Sequence, residues 1–394
     1  MKKIINQKNL LLIIVALFWY AQYVYIPFQN PYLLINGVSS NTIGVIIGSY
    51  GISQCLLRLP VGIYADSIGK HKCFIFLGIL FGGIASFLRV TMSVESGFLI
   101  ANILSGVASS MWISYIVHYT GYFSKVDQPK ATCKIILVNN LGMLFGFIVS
   151  TLFYDSLGMK FLCTTSVIAA IIGSILSFWI KDHKQVNNKS SFMKYLAICK
   201  NKRLLFFSLL ALIQQGIQMS TTMSFTTQIL QDLGATSIIV GLASIFYMVS
   251  AVISSGFASS NFCIKKGPKI WIPIVFLLIA LYCILVPTVN SIPIIFSLQL
   301  LPGMSTGILL SYLTSEAMVE VPQYQKSTAM GFFQAIYAIG MSVLPILVGK
   351  IADLISIKSG YFLLAFIAII GAVLSKIYYK VSITETIKLH SYTE

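Results

Sequence analysis

The stretch from Arg58 to Lys72, RLPVGIYADSIGKHK, combines residue types and spacing that could do specific work. Gly62, Asp66 and Gly69 punctuate it between two apolar runs, and Lys70, His71 and Lys72 close it. Glycine at both ends suits a backbone that turns tightly or passes close to another helix. Asp66 is a single fixed negative charge beside a basic cluster. Two readings fit. The stretch is a short connection whose lysines only set membrane topology, or it is a contact that holds another helix. In the second case Asp66 sits against the positive end of that helix, and the basic residues pair across an interface. Arg58, a turn or two earlier, snorkels to the interface or joins the same contact. Arg89, Glu95 and Lys160 fall at the outer ends of apolar runs and read as interfacial.

A second set of residues is polar or aromatic and lies away from the ends of the apolar runs. Trp19, Tyr23 and Asn30 lie roughly on one side of a helix, with Pro27 and Pro31 freeing carbonyls and bending its outer part. Trp112 and Tyr115 are three apart, Asn139 and Asn140 are adjacent, and Gln214 and Gln218 are i and i+4, followed by Thr221. Gln299, Gln334 and Tyr337 complete the set. Buried amides are costly unless paired, so each faces a neighbouring helix as glue or a water-filled path. Together they read as the lining of a cavity for a neutral or zwitterionic organic solute. No Asp or Glu lies deep in any apolar run, and His118 is the candidate for coupling a proton or cation to movement, with an interface role as its alternative.

Bond-making chemistry has no comparable pattern. His71, His118, His183 and His390 lack metal-ligand spacing, no serine has a base and orienting acid around it, and the glycines near Gly69 lack a phosphate-loop context. The expectation is therefore no enzyme, no cofactor and no metal. Basic residues lie in short connectors rather than on a folded face, which argues against nucleic acid as a partner. Cys55, Cys73, Cys133, Cys163, Cys199, Cys263 and Cys283 are scattered, without the paired spacing of a disulfide framework.

The elements that position these residues are membrane helices. Of 394 residues 57% are hydrophobic and only 10% charged, with mean hydropathy +0.86, where a soluble chain is nearer a quarter charged. A bilayer core of roughly 30 Å takes about 20 apolar residues per helix. Twelve spans are expected: 10–34, 41–64, 72–91, 95–118, 132–154, 159–181, 204–228, 235–259, 269–289, 292–314, 325–352 and 357–379. The N-terminal apolar run follows basic residues without a small-residue cleavage site and reads as a retained first span. The net charge of +16 reports orientation. With the N-terminus inside, only Arg89, Lys160, Lys350 and Lys358 among the 27 Lys and Arg residues fall outside. Both termini are therefore expected in the cytoplasm.

The halves echo each other. Gly142 and Gly340, Met143 and Met341, and Asp155 and Asp353 stand at a constant offset of 198 residues. The expected domains are a six-helix bundle over 1–181, a basic linker over 182–203 and a second bundle over 204–394, an all-α polytopic membrane protein built as a parallel repeat.

Gly62, Ala65, Asp66, Gly69, Lys70 and Lys72 resemble the signature loop between helices 2 and 3 of the major facilitator superfamily (MFS), with Ser67 and His71 in places that are often basic. The resemblance covers nearly the whole chain. In the second half, Gly256, Lys265, Lys266 and Gly267 keep part of the motif, with Ser260 where an Asp might stand. Asn102, Ser105 and Gly106 resemble the family's span-4 motif, with Asn102 in place of arginine. Gly142 and Gly146 resemble the span-5 antiporter motif, with Phe147, Ser150 and Thr151 departing from it.

The resemblance implies that the Asp66 loop holds the cytoplasmic side closed against helix 11 near Thr328 to Gln334. It also implies a secondary transporter that moves a small organic solute by alternating access in a cytoplasmic membrane. Compact twelve-helix bacterial relatives favour export; nutrient uptake and a non-transporting sensor are the alternatives. A monomer among membrane lipid is the expected unit.

Overall fold

The computed structural model describes residues 6–38, 40–182, 197–258 and 260–391. Most of the expected linker, residues 183–196, lies outside the described residues.

The described residues form twelve membrane helices, α1 to α12. The first four are Gln7–Leu33, Ser40–Ile68, Lys72–Thr91 and Val94–Thr120. A 50-residue helical run, Gln128–Ser177, supplies the next two. Gly158 breaks it at φ 71° and ψ −178°, a conformation that an L side chain resists. Residues 128–157 are α5 and 159–177 are α6. The second set runs α7 Lys202–Asp232, α8 Ser237–Ala258, α9 Pro268–Thr288 and α10 Ile292–Ala317, then α11 Lys326–Leu354 and α12 Ile357–Ser391. No strand occurs among the described residues. Helix α1 begins and α12 ends on one face, the terminal face.

Local chemistry fixes the helix ends. Asn6 accepts from Lys8 N at 3.1 Å before α1, and Asn201 accepts from Leu204 N at 2.9 Å before α7, so the first helix of each set starts with the same cap. Within α1 the helix breaks between Tyr23 and Ile26, leaving Pro27 in the first turn of the following segment, where its missing N–H costs nothing.

Helix packing repeats between the halves. A Cβ on Gly142 of α5 would lie 2.5 Å from the Ala16 carbonyl oxygen of α1, and one on Gly340 of α11 would lie 2.2 Å from that of Leu212 on α7. Only glycine lets these backbones touch. The repeat offset of 198 also pairs Gln128 with Lys326, and the Lys326 ammonium donates to the Gln128 side-chain oxygen. Equivalent residues of a repeat touch each other only beside the axis that relates the two copies. The starts of α5 and α11 therefore flank that axis on the terminal face.

One ion-pair cluster ties the second half together. Arg203 at the start of α7 donates to Glu316 Oε2 at 2.6 Å and to the Glu316 carbonyl at 3.0 Å, and the Tyr379 hydroxyl donates to Oε2 at 2.9 Å. Helices α7, α10 and α12 meet there. Glu316→Gln is expected to cost about 1–3 kcal/mol, the range for a charge-assisted bond that solvent partly screens. A lowered melting temperature in detergent checks it.

Candidate functional site

Two features between the halves bear on function: a buried contact between α2 and α11, and a small central cavity.

The contact is built from backbone. Asp66 is buried at the end of α2, with one carboxylate oxygen accepting from Ser327 N at 3.0 Å. The other accepts from Thr328 N at 2.6 Å and from the Thr328 hydroxyl at 2.7 Å. Ser327 and Thr328 occupy the first turn of α11, whose N–H groups have no partner within the helix, so Asp66 caps a helix 261 residues away in sequence. A Cβ on Gly62 would lie 2.3 Å from the Ser327 carbonyl oxygen, and one on Gly331 would lie 2.5 Å from that of Arg58. One turn deeper, Arg58 Nη1 donates to the Gln334 carbonyl at 3.0 Å, and its guanidinium carbon lies 4.6 Å from the centre of the Tyr337 ring. Arg58, Gln334 and Tyr337 thus belong to this contact, and Arg58 does not snorkel: it is buried.

The basic end of the motif faces elsewhere. Lys70 is exposed, and Lys72 donates from Nζ to the Phe178 carbonyl at 2.6 Å, next to α6 of its own half. Asp182 accepts from the backbone N–H groups of His71 at 2.8 Å and Lys72 at 2.9 Å, capping α3. The expected pairing of these lysines across the halves is corrected accordingly, because the start of α3 finds its acid within the first half. Gly69 at φ 66° ends α2 with the backbone that only glycine takes readily. In the second half Ser260 accepts from Cys263 N at 3.2 Å and starts its own short helix, so the Asp66 cap has no counterpart there.

The central cavity has a volume of about 50 Å³, room for a few water molecules. From α1 it is lined by Gln22, Tyr23, Tyr25, Ile26, Gln29 and Asn30; Ile47 and Tyr50 come from α2 and Asn102 from α4. Met219 and Met223 of α7 close it from the other half. There α7 widens into a π-helical turn at Thr221–Phe225, and α10 does the same at Ser305–Leu309. Such turns leave backbone groups off the regular ladder and recur at functional sites. A larger cleft of about 580 Å³ opens between the α4–α5 and α10–α11 connections, with Lys125, Glu320 and Lys326 on its wall. It shares no lining residue with the central cavity.

A repeated polar frame supports the cavity. Tyr50 and Ser109 share a hydrogen bond at 3.0 Å, and Gln22 Nε2 donates to Ser109 Oγ at 3.2 Å. In the second half Tyr247 and Thr306 share one at 2.7 Å, and Gln218 Nε2 donates to the Tyr247 hydroxyl at 2.7 Å. A Cβ on Gly106 would lie 2.6 Å from the Tyr50 carbonyl oxygen, and one on Gly303 would lie 2.8 Å from that of Tyr247. Tyr50, Gly106 and Ser109 correspond to Tyr247, Gly303 and Thr306 at a single offset of 197.

Of the residues expected to line a cavity, Tyr23 and Asn30 do so. Trp19 packs edge-on against Trp112 at 5.2 Å and lies 5.4 Å from Tyr23. Tyr115 is a correction: it is fully buried and donates to the Ile75 carbonyl at 2.7 Å, inside the first half. Asn140 is another, since its amide donates to Ser255 Oγ at 2.8 Å and joins α5 to α8, with Asn139 beside it at 3.3 Å. Gln214 donates to Ser305 and Gln218, and Gln299 is buried beside Tyr282, so both brace the second half. His118 lies near the terminal end of α4, with its Nε2 3.2 Å from the Tyr122 hydroxyl and its ring 5.8 Å from that of His71.

Arg89 is the largest departure from the sequence reading. It is buried rather than interfacial. Its Nη2 donates to Asn102 Oδ1 at 2.7 Å and Ser105 Oγ at 3.0 Å, and its guanidinium lies 3.8 Å from the centre of the Tyr25 ring. Asn102 and Tyr25 both line the cavity, so Arg89 stands one side chain behind its wall.

Twelve membrane helices in two similar sets of six, closed against each other around a cavity that both line, define a polytopic membrane protein of the transporter class. The chain belongs to the Major Facilitator Superfamily, whose family model matches residues 11–259 and 208–391. It is 23% identical over 362 residues to an uncharacterized MFS-type transporter of Methanocaldococcus jannaschii, covering 89% of this chain and 92% of that one. It is 20% identical over 369 residues to the staphylopine export protein of Staphylococcus aureus, covering 89% and 90%. Its fold matches the crystal structure of the human organic anion transporter MFSD10 (TETRAN) with a TM-score of 0.76 and 14% identity, over 95% of this chain and all of that one.

Proposed function

We propose that this chain is a secondary transporter that moves a small organic solute across a cytoplasmic membrane by alternating access. Its two halves, 1–181 and 204–394 joined by 182–203, rock about the central cavity. The carrying observation is the pairing of a cavity lined from both halves with a buried, closely packed α2–α11 contact on one side of it. The bias of Lys and Arg toward the terminal face supports that face, and both termini, being cytoplasmic. On this reading the state seen is closed to the cytoplasm, and Asp66, Gly62 and Arg58 are its gate. Gly69 and Lys72 shape the end of that gate, and Lys70 faces solvent.

Export is the direction supported by the relative that exports staphylopine. The working unit is a monomer in lipid, with no cofactor. His118 is the residue to test for proton coupling. The experiment is flux in proteoliposomes for a panel of metabolites and dyes, with a pH gradient imposed or collapsed. Saturable flux of a panel member supports the reading, and dependence on the gradient assigns a coupled proton. Saturable binding without flux of any member would replace it with a sensor.

A further inference from the structure

A buried arginine, Arg89, stands one side chain behind the wall of the central cavity with no acid to balance it, and a second, Arg58, lies unbalanced in the α2–α11 contact. Among the described residues no carboxylate oxygen lies within 4.0 Å of Arg58 or Arg89; the ion pairs found are those of Arg203. Arg89 is 6% exposed and is held by Asn102, Ser105 and Ser86, all neutral, and by the Tyr25 ring. Its Nε is buried with no partner. A guanidinium cannot shed its proton, and a fixed charge inside a membrane protein marks a pathway or calls for a partner. The cavity wall offers none: it carries amides, phenols and apolar groups, and no acidic side chain.

The repeat separates function from framework here. The Tyr50–Gly106–Ser109 frame recurs as Tyr247–Gly303–Thr306, yet at the same offset Arg89 falls on Val286, with Leu285 beside it. The second half packs α8 against α10 without any arginine. Arg89 is therefore not needed to build this helix arrangement, and its charge serves the cavity that the first half mostly lines. Behind low-dielectric walls an unbalanced cation projects its field into the nearest polar space.

Resting on the transporter reading, we propose that the central cavity is an organic-anion site. The acidic group of the solute lies at the Asn102–Tyr25 wall in the field of Arg89, and its apolar part lies on Ile26, Ile47, Met219 and Met223. A cation would meet the fixed positive charge of Arg89 and no acid. The 50 Å³ present holds the acidic group, and the apolar part enters as the two methionines move away with their half.

The test uses purified full-length protein titrated with 2-naphthoate, 2-naphthamide and 2-naphthylmethylammonium, one ring system carrying a negative, neutral or positive group. Binding is read by calorimetry in detergent. The carboxylate is expected to bind about ten-fold or more tighter than the amide, with the ammonium weakest. Arg89→Gln is expected to bring carboxylate and amide within about two-fold. Asn102→Asp keeps the arginine, gives it a partner and removes the same preference, so the test survives a variant that does not fold.

Equal affinity for the amide, tighter binding of the ammonium, binding of none of the three, or an unchanged preference in folded Asn102→Asp overturns the site. Proteoliposome flux of a neutral or cationic solute in that event leaves the transporter reading standing. Absence of flux for every solute is what removes it.

Discussion

Asp66→Asn is expected to lower flux about ten-fold or more while protein level, membrane insertion and solute binding hold, because three charge-assisted bonds close the terminal face through one carboxylate. An amide can accept with only one of its two ends. Its NH2 would then point at the N–H or hydroxyl of Ser327 or Thr328, donor against donor. The first turn of α11 loses its cap and its countercharge together. The closed state is weakened relative to the open one, so a cysteine introduced at Ser327 should also react faster with a membrane-impermeant maleimide. Wild-type flux at wild-type protein level would show that the carboxylate is dispensable.

Gly62→Val is expected to abolish flux more completely. Its Cβ would stand 2.3 Å from the Ser327 carbonyl oxygen, a separation no carbon and oxygen tolerate, and the object struck is backbone rather than a side chain that could turn away. Helices α2 and α11 would have to part by more than an ångström, which breaks the Asp66 cap and the Arg58–Gln334 bond with it. Gly256→Ala is the matched control. A Cβ there meets nothing within 4 Å, so flux should stay at the wild-type level. Flux through Gly62→Val equal to that of the control would mean that α2 and α11 do not close on each other during the cycle.

Much of the architecture was legible because membrane helices announce themselves by length and apolarity, and because Gly142 and Gly340 mark the same close contact in each half. Boundaries drifted where polar residues stay helical: α2 was expected to end at 64 and runs to Ile68, since Ala65 and Asp66 are buried against α11. The fate of Lys72 could not be read locally, because its partner, the Phe178 carbonyl, lies at the far end of the same half.

The cavity was the least legible part. Choosing amides and rings by type found Tyr23 and Asn30 but missed Gln22, Gln29, Tyr50 and the two methionines, because any one amide in a membrane helix serves as glue or as lining with equal ease. A signal for Tyr50 did exist: Tyr50 and Ser53 recur as Tyr247 and Ser250, and Gly106 as Gly303, at one offset. Arg89 was misplaced for a simpler reason. It lies two residues from the end of α3, where an arginine usually reaches water; here Tyr25, Asn102 and Ser105 turn it inward.

The most direct test of alternating access is to fasten the terminal face shut. Gln128→Cys and Lys326→Cys, placed in a background whose seven native cysteines are alanine, put one thiol on each side of the axis between the halves. A short bis-methanethiosulfonate then bridges them, and flux of a carried panel solute is followed before and after reduction. Flux should stop on bridging and return when the bridge is reduced. Undiminished flux through the bridged protein would contradict transport by parting of the halves.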